Sequence, residues 1–458
     1  MSEESPDPAR AADAYPAALL DALGHAWVDR TAWEFLTEIT AIGSRMAGSP
    51  GERRAADAIA RAFRDAGARE VTEQTFELTG WTRGDAGLDM LSPHERPFEA
   101  IALPYSPAGE VTGELVDVGY GTPDEIDDAD VEGRIAVAST TTPGEGRFVH
   151  RVEKFSYALE QGAEAFVFVN HVEGQLPPTG ALTYGEEADA PAVGVSSETG
   201  GWLREYAVNT PGEAGRFRLA VEASTAPATS RNVLGRIGPE TEETLLLLAH
   251  YDAHDIAEGA LDNGCGIATV VATARILAAV AEELPVEVRL AAVGCEEVGL
   301  LGAEELASRL ELDDVHAVVN VDGAGRYRDL VAYSHTSDAT ASAARAVEDA
   351  TRHPVEIEPE PHPFSDQWPF VRRGVPALQL HSDSGQRGRG WGHTSADTRD
   401  KVDDRNLREH AMLTAMLAFE LGERELPRLD DGALREAFRE ADFEVGMRAA
   451  DLWPEKWE

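Results

Sequence analysis

The most apolar stretch of the chain, TLLLLAH at 244–250, has no polar face, the pattern of a strand buried on both sides. Four more short runs read as strands: VEVRLAAVG, AVVNVDG, DLVAYSH and PALQLHS. Between and after them, helical periodicity predicts helices at roughly 264–283, 299–310, 338–351, 366–373 and 404–423. Strands spaced by helices predict an α/β fold with a mixed, largely parallel sheet covered on both faces. In such sheets chemistry gathers just beyond the carboxyl ends of the strands.

Upstream, TAWEFLTEITAI reads as a helix and GSRMAGSPG as a break. ERRAADAIARAFRDAGA is an amphipathic helix ending at glycine, and EVTEQTFEL alternates like a strand. From about residue 101 the texture changes to short strands between glycine and proline: GELVDVGYG, VEGRIAVAST, AEAFVFVNH and PAVGVSS. One helix, RFVHRVEKFSYALEQGA, lies among them, and STAPATSRNVLGRIG reads as a linker back to the α/β part. The expected organisation is an N-terminal extension (1–30), a discontinuous α/β domain (31–100 and 223–424), a β-rich insert (101–222) and an acidic helical tail (425–458). Phe438, Phe443, Leu452 and Trp453 give that tail an apolar face for the body or for a second subunit.

Composition narrows the setting. At 43% hydrophobic the 458 residues can build real cores, which excludes a wholly disordered chain. The 83 acidic and 40 basic residues leave a net charge of −43, and only Lys154, Lys401 and Lys456 are lysines. Such self-repulsion is tolerable where salt screens it, and the pattern resembles proteins of salt-in halophiles. It argues against nucleic acid and anionic membranes as partners, since both need basic patches. Cys265 and Cys295 make no disulfide framework and are expected as buried thiols, a single bridge being the alternative. The acidic N-terminus carries no basic or apolar leader region, and no run reaches the length of a membrane span. A cytoplasmic protein is expected, with a processed, secreted mature form as the alternative.

The strand ends supply acid and imidazole. TLLLLAH ends at His250 with Asp252 beyond it, and the loop then delivers Asp262. VEVRLAAVGC leads to Glu296 and Glu297, AVVNVD to Asp322, and GRGWGHTSADT offers His393. Three carboxylates and two imidazoles, with further carboxylates beside them, suit a pair of zinc-like ions, and Asp262 is placed to stand between the two. A lone His-x-Asp at a strand end is usually structural; five such segments, each at a strand end, point to a metal centre.

The order AHYDAHD, ALDNGCG, CEEVGLLG, NVDG and GHTSADT resembles the di-zinc aminopeptidase family, which includes aminopeptidase Y-like and glutamate carboxypeptidase-like enzymes. VEGRIAVAST, ALEQGAEAFVFVN and APAVGVSSETGGWL are similar to the protease-associated insert that several such families carry. The resemblance implies a zinc exopeptidase fold binding two Zn2+, with Co2+ or Mn2+ as substitutes. It makes His250 and Asp322 ligands of one ion, Glu297 and His393 of the other, and Asp262 the bridge. Glu296 would be the general base for a metal-activated water, and Asp252 would hold His250 in the tautomer the metal needs. A cis peptide between Asp262 and Asn263 is implied as well. His254 stands where many relatives carry an aromatic residue and is expected to line the loop, a third metal ligand being the alternative.

SDQWPF resembles the family's pocket segment, which makes Ser365, Asp366, Trp368 and Phe370 candidate substrate residues, with Gln367 replacing a histidine. Trp368 and Phe364 would either line a side-chain pocket or pack helix against sheet. Arg387 and Arg389 would either clamp a substrate carboxylate or be solvated surface charges. The expected activity is removal of N-terminal residues from peptides, with homo-oligomerisation left open. A carboxypeptidase of the glutamate carboxypeptidase-like kind is the alternative, and a glutaminyl cyclase-like acyltransferase or a non-catalytic receptor-like protein stand further off.

Overall fold

The computed structural model describes residues 15–142, 144, 146–207, 214–385 and 390–458. Fourteen strands form one continuous sheet. Those from the first part of the chain are β1 (Arg69–Ser92), β2 (Arg96–Phe98), β3 (Ile101–Ala102), β4 (Gly109–Asp117), β5 (Ile135–Ser139), β6 (Ala165–Val169), β7 (Ala192–Val195) and β8 (Arg216–Ile237). The rest are β9 (Thr244–His250), β10 (Glu287–Val293), β11 (Val315–Val321), β12 (Leu330–Tyr333), β13 (Val355–Glu358) and β14 (Ala377–Ser382). Twelve of them run in the order β13-β12-β14-β11-β9-β10-β8-β4-β5-β6-β7-β3, while β1 pairs with β8 and β2 with β1 off that path.

Strands β10, β9, β11 and β14 are parallel, so their carboxyl ends open on one edge. Strand β9 is buried along its whole length because its two faces meet different partners. Leu245 and Leu247 pack into a core with helices Thr31–Thr40, Pro50–Ala66, Cys265–Ala279 and Asp404–Gly422. Leu246 and Leu248 face helix Leu301–Arg309, Phe370 and the tail residues Phe438 and Trp457. The period-two alternation thus separates two apolar layers.

The passage STAPATSRNVLGRIG, expected as a linker, is part of strand β8. Strand β8 pairs antiparallel with β1 from Arg236 to Arg216, and Pro227 lies opposite Thr79. One end of β8 pairs with β10 and the other with β4, so one ribbon carries both halves of the sheet. Strands β4 to β7 enclose two smaller cores, one around Val137, Val167 and Phe217 and one around Phe155, Phe166 and Phe168.

The tail packs on its own chain. Phe438 lies 4.9 Å from the Trp368 ring and 5.2 Å from Trp457, and Phe443, Met447 and Trp453 are buried with them. No helix among the described residues is long and apolar enough to cross a membrane. Cys265 and Cys295 are free, buried thiols.

Candidate metal centre

At the carboxyl ends of β9, β10 and β11 the side chains converge. His250 is the last residue of β9, Asp322 follows β11, and Glu296 and Glu297 follow β10 beyond a left-handed Cys295 (φ 61°). Asp262 lies in the turn before helix Cys265–Ala279, and the Asp262–Asn263 peptide is cis. His393, also left-handed (φ 58°), comes from the segment after β14.

Two groups of donor atoms result, each lying within 4.8 Å of one another: His250, Asp262 and Asp322 in one, His254, Glu297 and His393 in the other. Asp262 faces both groups. Its Oδ1 is 3.5 Å from His250 Nε2 and its Oδ2 is 3.2 Å from His393 Nε2. His250 Nε2 stands 3.8 Å from Asp322 Oδ1, and His393 Nε2 stands 3.3 Å from Glu297 Oε2. Glu296 Oε2 is 4.0 Å from His250 Nε2, at the wall of the cavity.

The hydrogen bonds around these groups come from residues behind them. Asp252 Oδ1 is 3.4 Å from His250 Nδ1, and its two oxygens accept the backbone N–H groups of Glu296 and Glu297 at 3.0 and 3.1 Å. Ser365 Oγ donates to Asp322 Oδ2 at 2.7 Å, and Gln379 donates to the same oxygen at 3.3 Å. Asp397 accepts the backbone N–H groups of Leu261 and Asp262. Buried Arg45 spans the carbonyls of Tyr251, Glu258 and Gly259, which fixes the loop between His250 and Asp262.

The carboxylates are crowded out of water. Burial pushes Glu297 up to about 7 against the pull of His393, and burial with Asp366, Asp322 and Glu297 raises Glu296 well above the usual carboxylate range despite His250. Burial works against Asp262 as well, but Arg326, His250 and His393 hold it well below that range. Both ring nitrogens of His250, both of His254 and Glu297 Oε1 are buried without a hydrogen-bond partner. Unpartnered buried donors and acceptors are costly, and excess carboxylate beside imidazole is the chemistry of a divalent cation site. Both groups fit zinc-like ions on this ground.

Of the candidate substrate residues, Ser365 sits behind Asp322, and Asp366 is fully buried with both carboxylate oxygens unpartnered. Trp368 and Phe370 pack into the layer shared with the tail, away from the cavity. Phe364 lines the cavity and stacks on His150 of the insert at 4.3 Å. Arg387 and Arg389 lie outside the described residues. Sequence reasoning missed two groups at the centre. Arg326 is buried 2.9 Å from Asp262 Oδ1 and 3.4 Å from Asp322 Oδ1, and Asp397 lies within the very HTSADT motif that supplied His393.

Comparison with known proteins agrees with this architecture. Residues 232–418 match the model of peptidase family M28, and residues 111–203 match the PA domain. The chain is 30% identical over 297 residues to aminopeptidase YwaD of Bacillus subtilis, an alignment covering 62% of this chain and 59% of that protein. The chain thus spans a little over half the length of the first curated relatives it matches. An aminopeptidase structure from Aneurinibacillus sp. strain AM-1 superposes with a TM-score of 0.64 at 26% identity, covering 88% of this chain and 96% of that one. A peptidase M28 precursor from Shewanella amazonensis shares the fold at a TM-score of 0.75 and 22% identity, over 93% of this chain and all of that one. The parallel strands that end in the two donor groups lie within the stretch that matches the model of peptidase family M28, and strands β5 to β7 of the insert lie within the stretch that matches the PA domain.

Proposed function

We propose that the chain is a co-catalytic, two-metal aminopeptidase. The observation that carries this reading is Asp262, whose two oxygens face two different imidazoles, His250 and His393, in two separate donor groups. His250 and Asp322 would hold one ion and Glu297 and His393 the other, with Asp262 between them. Divalent ions there would polarise the scissile carbonyl and acidify the attacking water. Glu296 lies at the cavity wall beside both groups, placed to take a proton from water and deliver it to the leaving amine. Asp252 orients His250 and fixes the backbone that carries Glu296 and Glu297.

The substrate would be a peptide entering a cavity of about 1080 Å³. Its walls combine Glu296 and Asp322 with Arg151 and His171 of the insert and Phe443 of the tail. The insert thereby restricts access to the centre and the tail closes one side. Aminopeptidase activity named for the Bacillus subtilis relative supports release from the amino end. Two donor groups favour two ions over the single zinc of a cyclase.

The test is a mass-spectrometric time course with zinc-loaded protein in concentrated KCl. Peptides are supplied with free and with acetylated N-termini. Stepwise loss from the free N-terminus, blocked by acetylation, is expected. Loss from the carboxyl end instead would overturn the reading in favour of a carboxypeptidase.

A further inference from the structure

His254 lies in the loop after β9 that it was expected to line, and its ring joins one of the two donor groups. Its ring is buried in the second donor group, with Nε2 2.9 Å from Glu297 Oε2, the oxygen that His393 Nε2 also approaches. The two imidazoles meet edge to face at 4.7 Å. Neither nitrogen of His254 has a hydrogen-bond partner, and the carboxylate its Nε2 approaches, Glu297, is itself a member of the donor group. A structural histidine normally gives its N–H to a carbonyl or a carboxylate. This one leaves both nitrogens orphaned inside a cluster of donors, at a cost that an ion would remove.

The neighbours fix the ring there. The backbone N–H of Ala253 donates to the Arg45 carbonyl, and Asp255 is gripped by Arg83 of strand β1 at 2.6 Å.

We propose that His254 is a fourth protein ligand of the ion held by Glu297, His393 and Asp262, which rests on the two-metal reading above. That ion would then have two imidazole and two carboxylate donors, the count of a closed, tightly held site. The other ion would keep three protein donors, His250, Asp262 and Asp322, and therefore an open position. Glu296 stands beside the His250 group, 4.0 Å from the His250 ring. The centre would thus divide its work: one ion anchors the loop between β9 and helix Cys265–Ala279, and the other presents water to the base.

The experiment reads metal rather than peptide. Zinc is titrated into metal-free wild type, His254→Ala and His254→Asn against a chromophoric chelator, with circular dichroism as the check on folding. Two ions of different affinity are expected in the wild type. Either substitution should weaken the tighter ion at least ~10-fold, the scale on which metal-site partners act, and leave the weaker ion unchanged. In the cobalt-substituted protein the visible absorption of the tighter site should fall as water enters its coordination. Unchanged affinities and an unchanged cobalt spectrum in folded variants would overturn the assignment.

X-ray absorption at the zinc edge of wild type serves if the variants do not fold. Three imidazoles shared over two ions support the proposal, and two imidazoles over two ions overturn it. A wild type that binds both ions with three imidazoles yet cleaves no peptide would overturn the aminopeptidase reading and leave this one standing.

Discussion

Asp252 Oδ2 accepts the backbone N–H of Glu297 at 3.1 Å, while Oδ1 of the same carboxylate holds the N–H of Glu296 and lies 3.4 Å from His250 Nδ1. One buried side chain therefore sets the position of a residue in each donor group and of the candidate base. Asp252→Asn replaces one acceptor with a donor that faces an N–H. It should lower the affinity for metal at both groups by roughly 10- to 100-fold, measured by competition with a chelator. An effect confined to one ion would show that Asp252 serves His250 alone.

The tail is integral to the body. Phe438 lies between Trp368 and Trp457, on the layer that also covers Leu246 and Leu248 of β9. Phe438→Ala should cost about 3–5 kcal/mol in chemical denaturation, the usual cost of emptying a buried aromatic site. A loss within the error of the extrapolation would show that the tail is dispensable packing.

Glu52 links pH to stability from behind the donor groups, beside Cys295. It is buried, accepts the Gly48 N–H and the Ser230 hydroxyl at 2.7 Å, and burial with the Asp252 charge pushes it up to about 8. The folded state therefore keeps its proton where the unfolded chain, with the ordinary glutamate value of 4.5, has lost it. The penalty is absent below pH 4.5, grows as pH rises towards 8 and is constant above. Between pH 5.5 and 8.5, wild type should lose more than about 1.4 kcal/mol relative to Glu52→Gln, the worth of one pKa unit. Parallel stability curves would contradict this.

A net charge of −43 should make the fold depend on salt. The screening length falls from about 10 Å at 0.1 M to about 3 Å at 1 M, which damps the self-repulsion of the surface. The melting temperature should rise steadily from 0.1 to 2 M KCl. A flat profile would indicate that the acidic surface is neutralised within the fold.

What was legible in the sequence was whatever a strand end enforces. His250, Glu296, Glu297 and Asp322 each follow an apolar run, so the rule for parallel sheets places them side by side. Arg326 follows Asp322 by four residues in a glycine-rich turn, where it resembles any of the chain's many arginines. Only the folded turn shows it pointing back at Asp262. His254 was discounted because many relatives carry an aromatic residue at that position, so the resemblance gave it no role. Its convergence with His393 depends on two segments 139 positions apart, as their numbers give. The Pro227 region read as a linker because proline and serine are rare inside strands, yet pairing with β1 overrides local preference. Strand β13, VEIE, was overlooked for a different reason: its glutamates belong to an edge, where charge is common.

The central claim is that Glu296 moves the proton while its neighbours hold the metal. Glu296→Gln preserves size and leaves every proposed ligand in place. Metal content and peptide turnover of this variant are measured together on one preparation. Two ions per chain with turnover reduced by about 10²- to 10⁴-fold, the range for a lost general base, is the predicted result. Two ions with undiminished turnover would contradict the assignment of Glu296.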